Sequence, residues 1–228
     1  MVDHSRTYKV KSVRNAPHIS RLKNILSFLD SNPNICGKSY CDVGCSNGYI
    51  TNIIMKRYRL SDVVGFDHSK DNLKVARKLY SAISFRNIDL NHSIVSNKKF
   101  NLVTCFETLE HVGNVECALK NILDLKDKNG CVLLTVPIEI GFFGIIKFIA
   151  KMLIYHYSLK ELSSKRFFVL NYLRFLLSGK RLSLLRKNKS GWGTHFGFDY
   201  RDIDDYLLSN NIKYESFNHF TTRFYVIK

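Results

Sequence analysis

Between residues 39 and 137 the chain alternates five short apolar runs with amphipathic stretches, and this alternation narrows the fold more than any other feature. The runs "SYCDVG" (39–44), "DVVGFD" (62–67), "ISFRNID" (83–89), "FNLVTCF" (100–106) and "GCVLLTVP" (130–137) have the length and β-branched, aromatic content of buried strands. "YITNIIMKRY", "SKDNLKVARKLY" and "VECALKNILDLK" lie between them and repeat their apolar residues at helical spacing. Strand and helix in alternation predict an α/β fold, an open, doubly wound and mostly parallel sheet with helices on both faces.

After Pro137 the alternation stops for about fifty residues and then resumes as a helix at "YRDIDDYLLSNN" and two strands, "KYESFNHF" and "RFYVIK". So short a connection between the last two predicts an antiparallel hairpin at the sheet edge. The whole chain, 1–228, reads as one domain with a seven-stranded sheet. A helical segment lies within 1–35, where "HISRLKNILSFLDSN" ends in a stop at Asn-Pro, and a helical insertion follows strand 5 at 141–190.

Three consecutive strands end in a carboxylate, Asp42, Asp67 and Asp89, and parallel strands put these on one rim. A strand-end aspartate alone is commonly a turn or helix cap. Three in order, with Gly44 and Gly48 around the first turn, suit a polar ligand that backbone must approach closely, and Asp67 is placed to accept from both hydroxyls of a ribose. The turn Gly44-Cys45-Ser46-Asn47-Gly48 lacks the G-x-G-x-x-G triplet that seats a pyrophosphate on a helix N-terminus, which disfavours a dinucleotide.

At these residues the chain resembles the class I S-adenosylmethionine-dependent methyltransferases. "CDVGCSNG" is similar to their first motif, "VVGFD" to the second, "NIDL" to the third and "FNLVTCFETLEHV" to the fourth, with "LLTVP" as strand 5. The resemblance covers 36–137 and 194–228. It implies S-adenosyl-L-methionine as cofactor, with Asp42, Gly44, Cys45 and Gly48 around its methionyl part and Asp67 on the ribose. It also implies that His68, Asp89, Leu90 and Phe106 border the nucleoside.

"CFETLEHVGN" follows strand 4, where open α/β sheets bind their second ligand. On a helical turn Glu107 faces Glu110 and His111, and His195 returns later on a glycine-flanked loop. Two carboxylates and two imidazoles can hold a divalent cation, and alternatively His111 or His195 can act as general base or line the acceptor side. The pattern is similar to that of metal-assisted O-methyltransferases acting on polyprenyl catechols or on the terminal ribose of small RNAs, and "LEHV" is also ordinary in non-metal members. The other histidines, at 4, 18, 68, 92, 156 and 219, have no partner pattern of their own.

The net charge of +16 is regional: residues 141–190 hold eleven Lys or Arg and one acid, Glu161. "GFFGIIKFIAKMLIYHYSLK" opens that segment and is too interrupted by Lys147 and Lys151 to span a bilayer. Gly144, Lys147 and Lys151 form a narrow polar stripe, and "SSKRFFVLNYLRFLLSGKRLSLLRKNKSGWG" sets Phe167, Leu170, Leu173 and Leu177 against Arg166, Arg174, Lys180 and Arg181. The segment suits a cap over an acceptor pocket, or a helix in an anionic bilayer interface with Lys and Arg stems reaching the headgroups. RNA fits less well, because the aromatics recur with leucines as packing residues do.

Six cysteines without a C-x-x-C pair, with Cys105 and Cys131 inside apolar, strand-like runs, suit a reduced compartment, and the N-terminus lacks a signal-peptide core. The expected location is the cytoplasm, with a peripheral membrane contact through the insertion. The acceptor implied is a hydroxyl on a lipid-linked glycan, a quinone precursor or a similar molecule. An RNA ribose and a non-catalytic membrane- or partner-binding relative are the competing readings.

Overall fold

The computed structural model describes residues 7–8, 10, 12, 15–35, 37–154, 167–186 and 189–228. Strands β1 (Ser39–Val43), β2 (Asp62–Asp67), β3 (Ser84–Asn87), β4 (Phe100–Phe106), β5 (Lys126–Pro137), β6 (Glu215–His219) and β7 (Thr222–Ile227) form one sheet in the order β3-β2-β1-β4-β5-β7-β6. The first five are parallel, and β7 runs antiparallel to both β5 and β6. Each apolar run named above is therefore a strand, and the C-terminal pair is the expected hairpin. Its turn is one residue earlier than "TTR" suggests, at Phe220 and Thr221, with Phe220 at φ 50°.

Helices α1 (Ala16–Ser31), α2 (Tyr49–Arg57) and α3 (Lys70–Leu79) cover one face, where Ile25, Leu29, Ile54, Leu73 and Ala76 pack with Tyr40, Leu102 and Leu133. Helices α4 (Val115–Asp124) and α7 (Arg201–Ser209) cover the other, through Leu119, Ile122, Ile203 and Leu207 against Val103, Val132 and Tyr225. Ser69 and Asn114 cap α3 and α4 by accepting from Asn72 N and Cys117 N. The chain leaves β1 towards β2 and leaves β4 towards β5, so the loops after β1 and β4 diverge and open a crevice at the centre of the rim.

The insertion contains α5 (Gly141–Ile154) and α6 (Phe167–Leu177), which build a satellite core of Phe148, Tyr172, Leu176 and Leu182. Gly144 and Lys147 of its polar stripe face inward, opposite to a membrane-facing or solvent-facing arrangement. Gly144 abuts the Glu139 backbone, and Lys147 donates to the Thr221 carbonyl at 2.9 Å and stands 3.8 Å from the buried Glu139 carboxylate. A buried carboxylate and a hairpin carbonyl need that ammonium more than water does. Phe142, Ile146 and Ile149 are exposed instead. Arg181 turns to Asp205 at 2.6 Å, while Arg174 and Lys180 stay exposed. Phe167, Leu170, Lys151 and Arg166 lie outside the residues whose side chains are described. Among the described residues no helix is long and apolar enough to cross a membrane. Cys41, Cys45, Cys105 and Cys131 are buried thiols.

Candidate functional site

The crevice is a cavity of about 540 Å³ along the ends of β1, β2 and β4, within the range of small-molecule sites. Asp42, Gly44, Cys45, Asp67, His68, Phe106, Glu107, Glu110, His111 and His195 line it, so ten of the residues expected from the sequence share one wall. Gly44, at φ 80°, turns the chain sharply after β1, and a Cβ there would collide with Thr108. Its amide and that of Cys45 both donate to the Phe66 carbonyl, which fixes the turn against β2.

Three expected residues stand off the wall. Gly48, at φ 77°, precedes α2 and packs against Phe85, so it shapes the turn without facing the cavity. Leu90 is buried in the sheet core, because its strand-end position is roofed by α4. Asp89 is outside the wall, and its Oδ1 accepts from Asn91 and, at 3.0 Å, from the Trp192 indole N–H.

Asp67 Oδ2 accepts from Ser46 N and Oδ1 from Ser69 N, both at 2.8 Å. Each oxygen keeps a second lone pair for a ligand hydroxyl. Asp42 is 3% exposed and accepts from Thr51 Oγ1 at 2.5 Å and Thr104 Oγ1 at 2.8 Å. Burial pushes its carboxyl up to about 6, against the opposing effect of the two hydroxyls. The unfolded chain ionises at the ordinary 3.8. Asp42 therefore stabilises the fold fully below 3.8 and loses that contribution as pH rises through about 6, a change of about 3 kcal/mol. In thermal melts of the unliganded protein, the stability of Asp42→Asn relative to wild type is expected to rise as pH goes from about 4 to about 7.

After β4 the backbone enters a strained turn, with Glu107 at φ 47°. Of the four groups expected to converge on a cation, three do: Glu110, His111 and His195 bring ligand atoms within 4.8 Å of one another. Glu107 is drawn away to Arg21 of α1, whose guanidinium lies 2.9 Å from its Oε2. Glu110 is fully buried, and neither of its carboxylate oxygens has a hydrogen-bond partner among the described residues. Burial, and next the charge of Glu107, raise its pKa well above the usual carboxylate range. His195 Nδ1 stands 3.7 Å from Glu110 Oε1, and the His111 and His195 rings are 4.1 Å apart. A carbonyl can only accept, so the 2.9 Å contact of His111 Nδ1 with Gly193 O puts the ring proton on Nδ1 and the acceptor lone pair on Nε2. Arg186 Nη2 donates to the Glu110 carbonyl at 2.6 Å and holds the turn from the insertion side.

Sequence reasoning missed the wall contributed by the N-terminal segment: Thr7, Tyr8, His18 and Arg21 all face the cavity. Tyr8 stacks on Tyr49 with centroids 5.4 Å apart. Arg21 Nε is buried without a hydrogen-bond partner among the described residues. Their spacing in sequence carries only helix periodicity. Trp192 and Arg186 were likewise visible only as part of a basic, apolar tract.

The profile of the methyltransferase domain family matches residues 36–162, from just before β1 through the first half of the insertion. The chain belongs to the methyltransferase domain family. The methyltransferase domain here is 28% identical over 99 residues to the putative methyltransferase 235L of Invertebrate iridescent virus 6, covering 43% of this chain and 37% of that protein. It is 34% identical over 113 residues to a ubiquinone biosynthesis O-methyltransferase of Chromobacterium violaceum, covering 47% of each. The matched stretch thus spans less than half the length of these relatives. In fold it is similar to magnesium protoporphyrin IX methyltransferase from Synechocystis PCC 6803, crystallised with bound SAH, with a TM-score of 0.59 at 16% identity over 97% of this chain and 90% of that one.

Proposed function

We propose that this methyltransferase domain holds S-adenosylmethionine along the ends of β1, β2 and β4 and transfers its methyl group to a hydroxyl of a lipid-associated acceptor. One observation carries the reading: a cavity whose nucleoside end has Asp67 runs directly into the Glu110, His111 and His195 cluster. The residues fit the cofactor's chemistry. Asp67 suits the ribose hydroxyls, Asp42 the ammonium and Arg21 the carboxylate of an amino-acid tail.

When bound, the cofactor supplies an electrophilic methyl on a cationic sulfur. The chain's own part is to align the acceptor oxygen with that methyl and to remove its proton, since displacement at carbon is mostly a matter of alignment. His111 Nε2 is the acceptor for that proton, with Gly193 O fixing the tautomer. A divalent cation fits the same cluster, because a fully buried carboxylate with no hydrogen-bond partner among the described residues, next to two imidazoles, is a donor set that lacks a positive centre. Glu110, His111 and His195 would hold it, and it would acidify a hydroxyl bound there.

The lipid side of the reading is supported by α5, where Phe142, Ile146 and Ile149 recur at i, i+4 and i+7 on an exposed face. Leu177 and Leu184 are exposed beside Arg174 and Lys180 in a segment with ten net positive charges. An apolar ridge among cations matches the interface of an anionic bilayer. The 34% identity to a ubiquinone biosynthesis O-methyltransferase points to the same class of acceptor.

Labelled methyl transfer into fractionated lipid, glycan and RNA pools tests the acceptor. Label is expected in the lipid fraction, and label confined to RNA would overturn it. The protein should co-sediment with phosphatidylglycerol liposomes at low salt, and recovery wholly in the supernatant would remove the membrane contact.

A further inference from the structure

Trp192 is the sole tryptophan of the chain. Its ring lies flat on His68 with centroids 3.8 Å apart and planes 14° from parallel, and its N–H donates to Asp89 Oδ1 at 3.0 Å. A planar bicycle stacked on the residue after Asp67, with one N–H directed at a carboxylate beyond it, has the shape and donor pattern of a purine carrying an amino group. His68 and Trp192 both line the cavity at the Asp67 end.

We infer that the Trp192 indole occupies the seat of the cofactor's adenine in the unliganded chain, and that the base must displace it to bind. The inference rests on the reading of the cavity as an S-adenosylmethionine site. His68 and Trp192, with centroids 3.8 Å apart, leave no gap between their faces for a third ring, since carbon atoms in contact need about 3.5 Å on each side. The backbone around Trp192 is pinned: Gly113 N donates to Gly191 O at 2.7 Å, Gly193 N donates to His111 O at 2.8 Å, and Val112 bridges Trp192. Exchange is therefore a side-chain rotation of Trp192 and not an opening of the loop that carries His195. Trp192 thereby weakens the apparent affinity for cofactor and product alike, in proportion to the fraction of molecules in which the seat is filled.

The test uses the intact chain and S-adenosylhomocysteine. In wild type, titration is expected to shift the Trp192 emission to the red and increase its quenching by acrylamide, as the indole leaves its stack for water. By calorimetry, Trp192→Leu should bind S-adenosylhomocysteine about tenfold more tightly, as expected when a competing state filled about nine times in ten is removed. Trp192→Phe, which can stack but cannot donate to Asp89, should fall between the two. Protection of Trp192 from acrylamide on binding, or weaker or unchanged affinity in a Trp192→Leu protein that melts like wild type, would overturn the inference: Trp192 would then be a wall of the site. Failure of wild type to bind S-adenosylhomocysteine at all would overturn it together with the cofactor reading, so the two failures are distinguishable.

Discussion

Asp67→Ala is expected to bind S-adenosylhomocysteine roughly 100-fold to 1000-fold more weakly than wild type by calorimetry, two lost hydrogen bonds to a charged group being worth about 3–4 kcal/mol together. Asp67 is 7% exposed and already accepts from Ser46 N and Ser69 N, so it arrives at the ligand preorganised. The same two bonds mean that the variant also loosens the β1–α2 turn, where Ser46 holds a φ of 50°, and the start of α3 at Ser69. Asp67→Asn separates the effects, since its amide retains one acceptor for the backbone while losing the charge. Wild-type affinity in both variants would remove the nucleoside from this end of the cavity.

The second large effect is on turnover. His111→Ala should lower kcat by about 10²–10⁴-fold with the affinity for S-adenosylhomocysteine unchanged, the range for loss of a positioned proton acceptor. His195→Ala and Glu110→Gln distinguish two ways of working. If the three groups hold a cation, each substitution costs a similar factor, chelation abolishes turnover, and manganese binding measured by paramagnetic relaxation is lost in all three. If His111 acts by itself, chelation is harmless and His195→Ala is the milder change. Wild-type kcat in His111→Ala would exclude the residue from the chemistry. Glu107 lies outside this cluster of three, its Oε2 paired with Arg21 at 2.9 Å.

Much of this was legible in the chain. Strands betray themselves by short buried runs, and parallel strands force their C-terminal residues onto one rim, so Asp42 and Asp67 are brought together by β-sheet geometry alone. His111 follows β4 by a few residues, close enough for local spacing to place it. Asp89 and Leu90 also follow a strand, yet α4 and Trp192 intervene, and neither packing event has a local signal.

The α/β class, the order of the strands, the pairing of Asp42 with Asp67 on one rim and the family could be read from the chain alone, because these rest on local periodicity and on residues within a few positions of a strand end. The long-range partner that each side chain found came from packing in three dimensions. Arg21 reaches Glu107 across 86 residues, Lys147 turns its charge inward to Glu139 and Thr221, and Trp192 settles between His68 and Asp89. Those choices depend on which buried charge or exposed ring most needs a neighbour after the sheet has formed, a competition that no stretch of sequence contains.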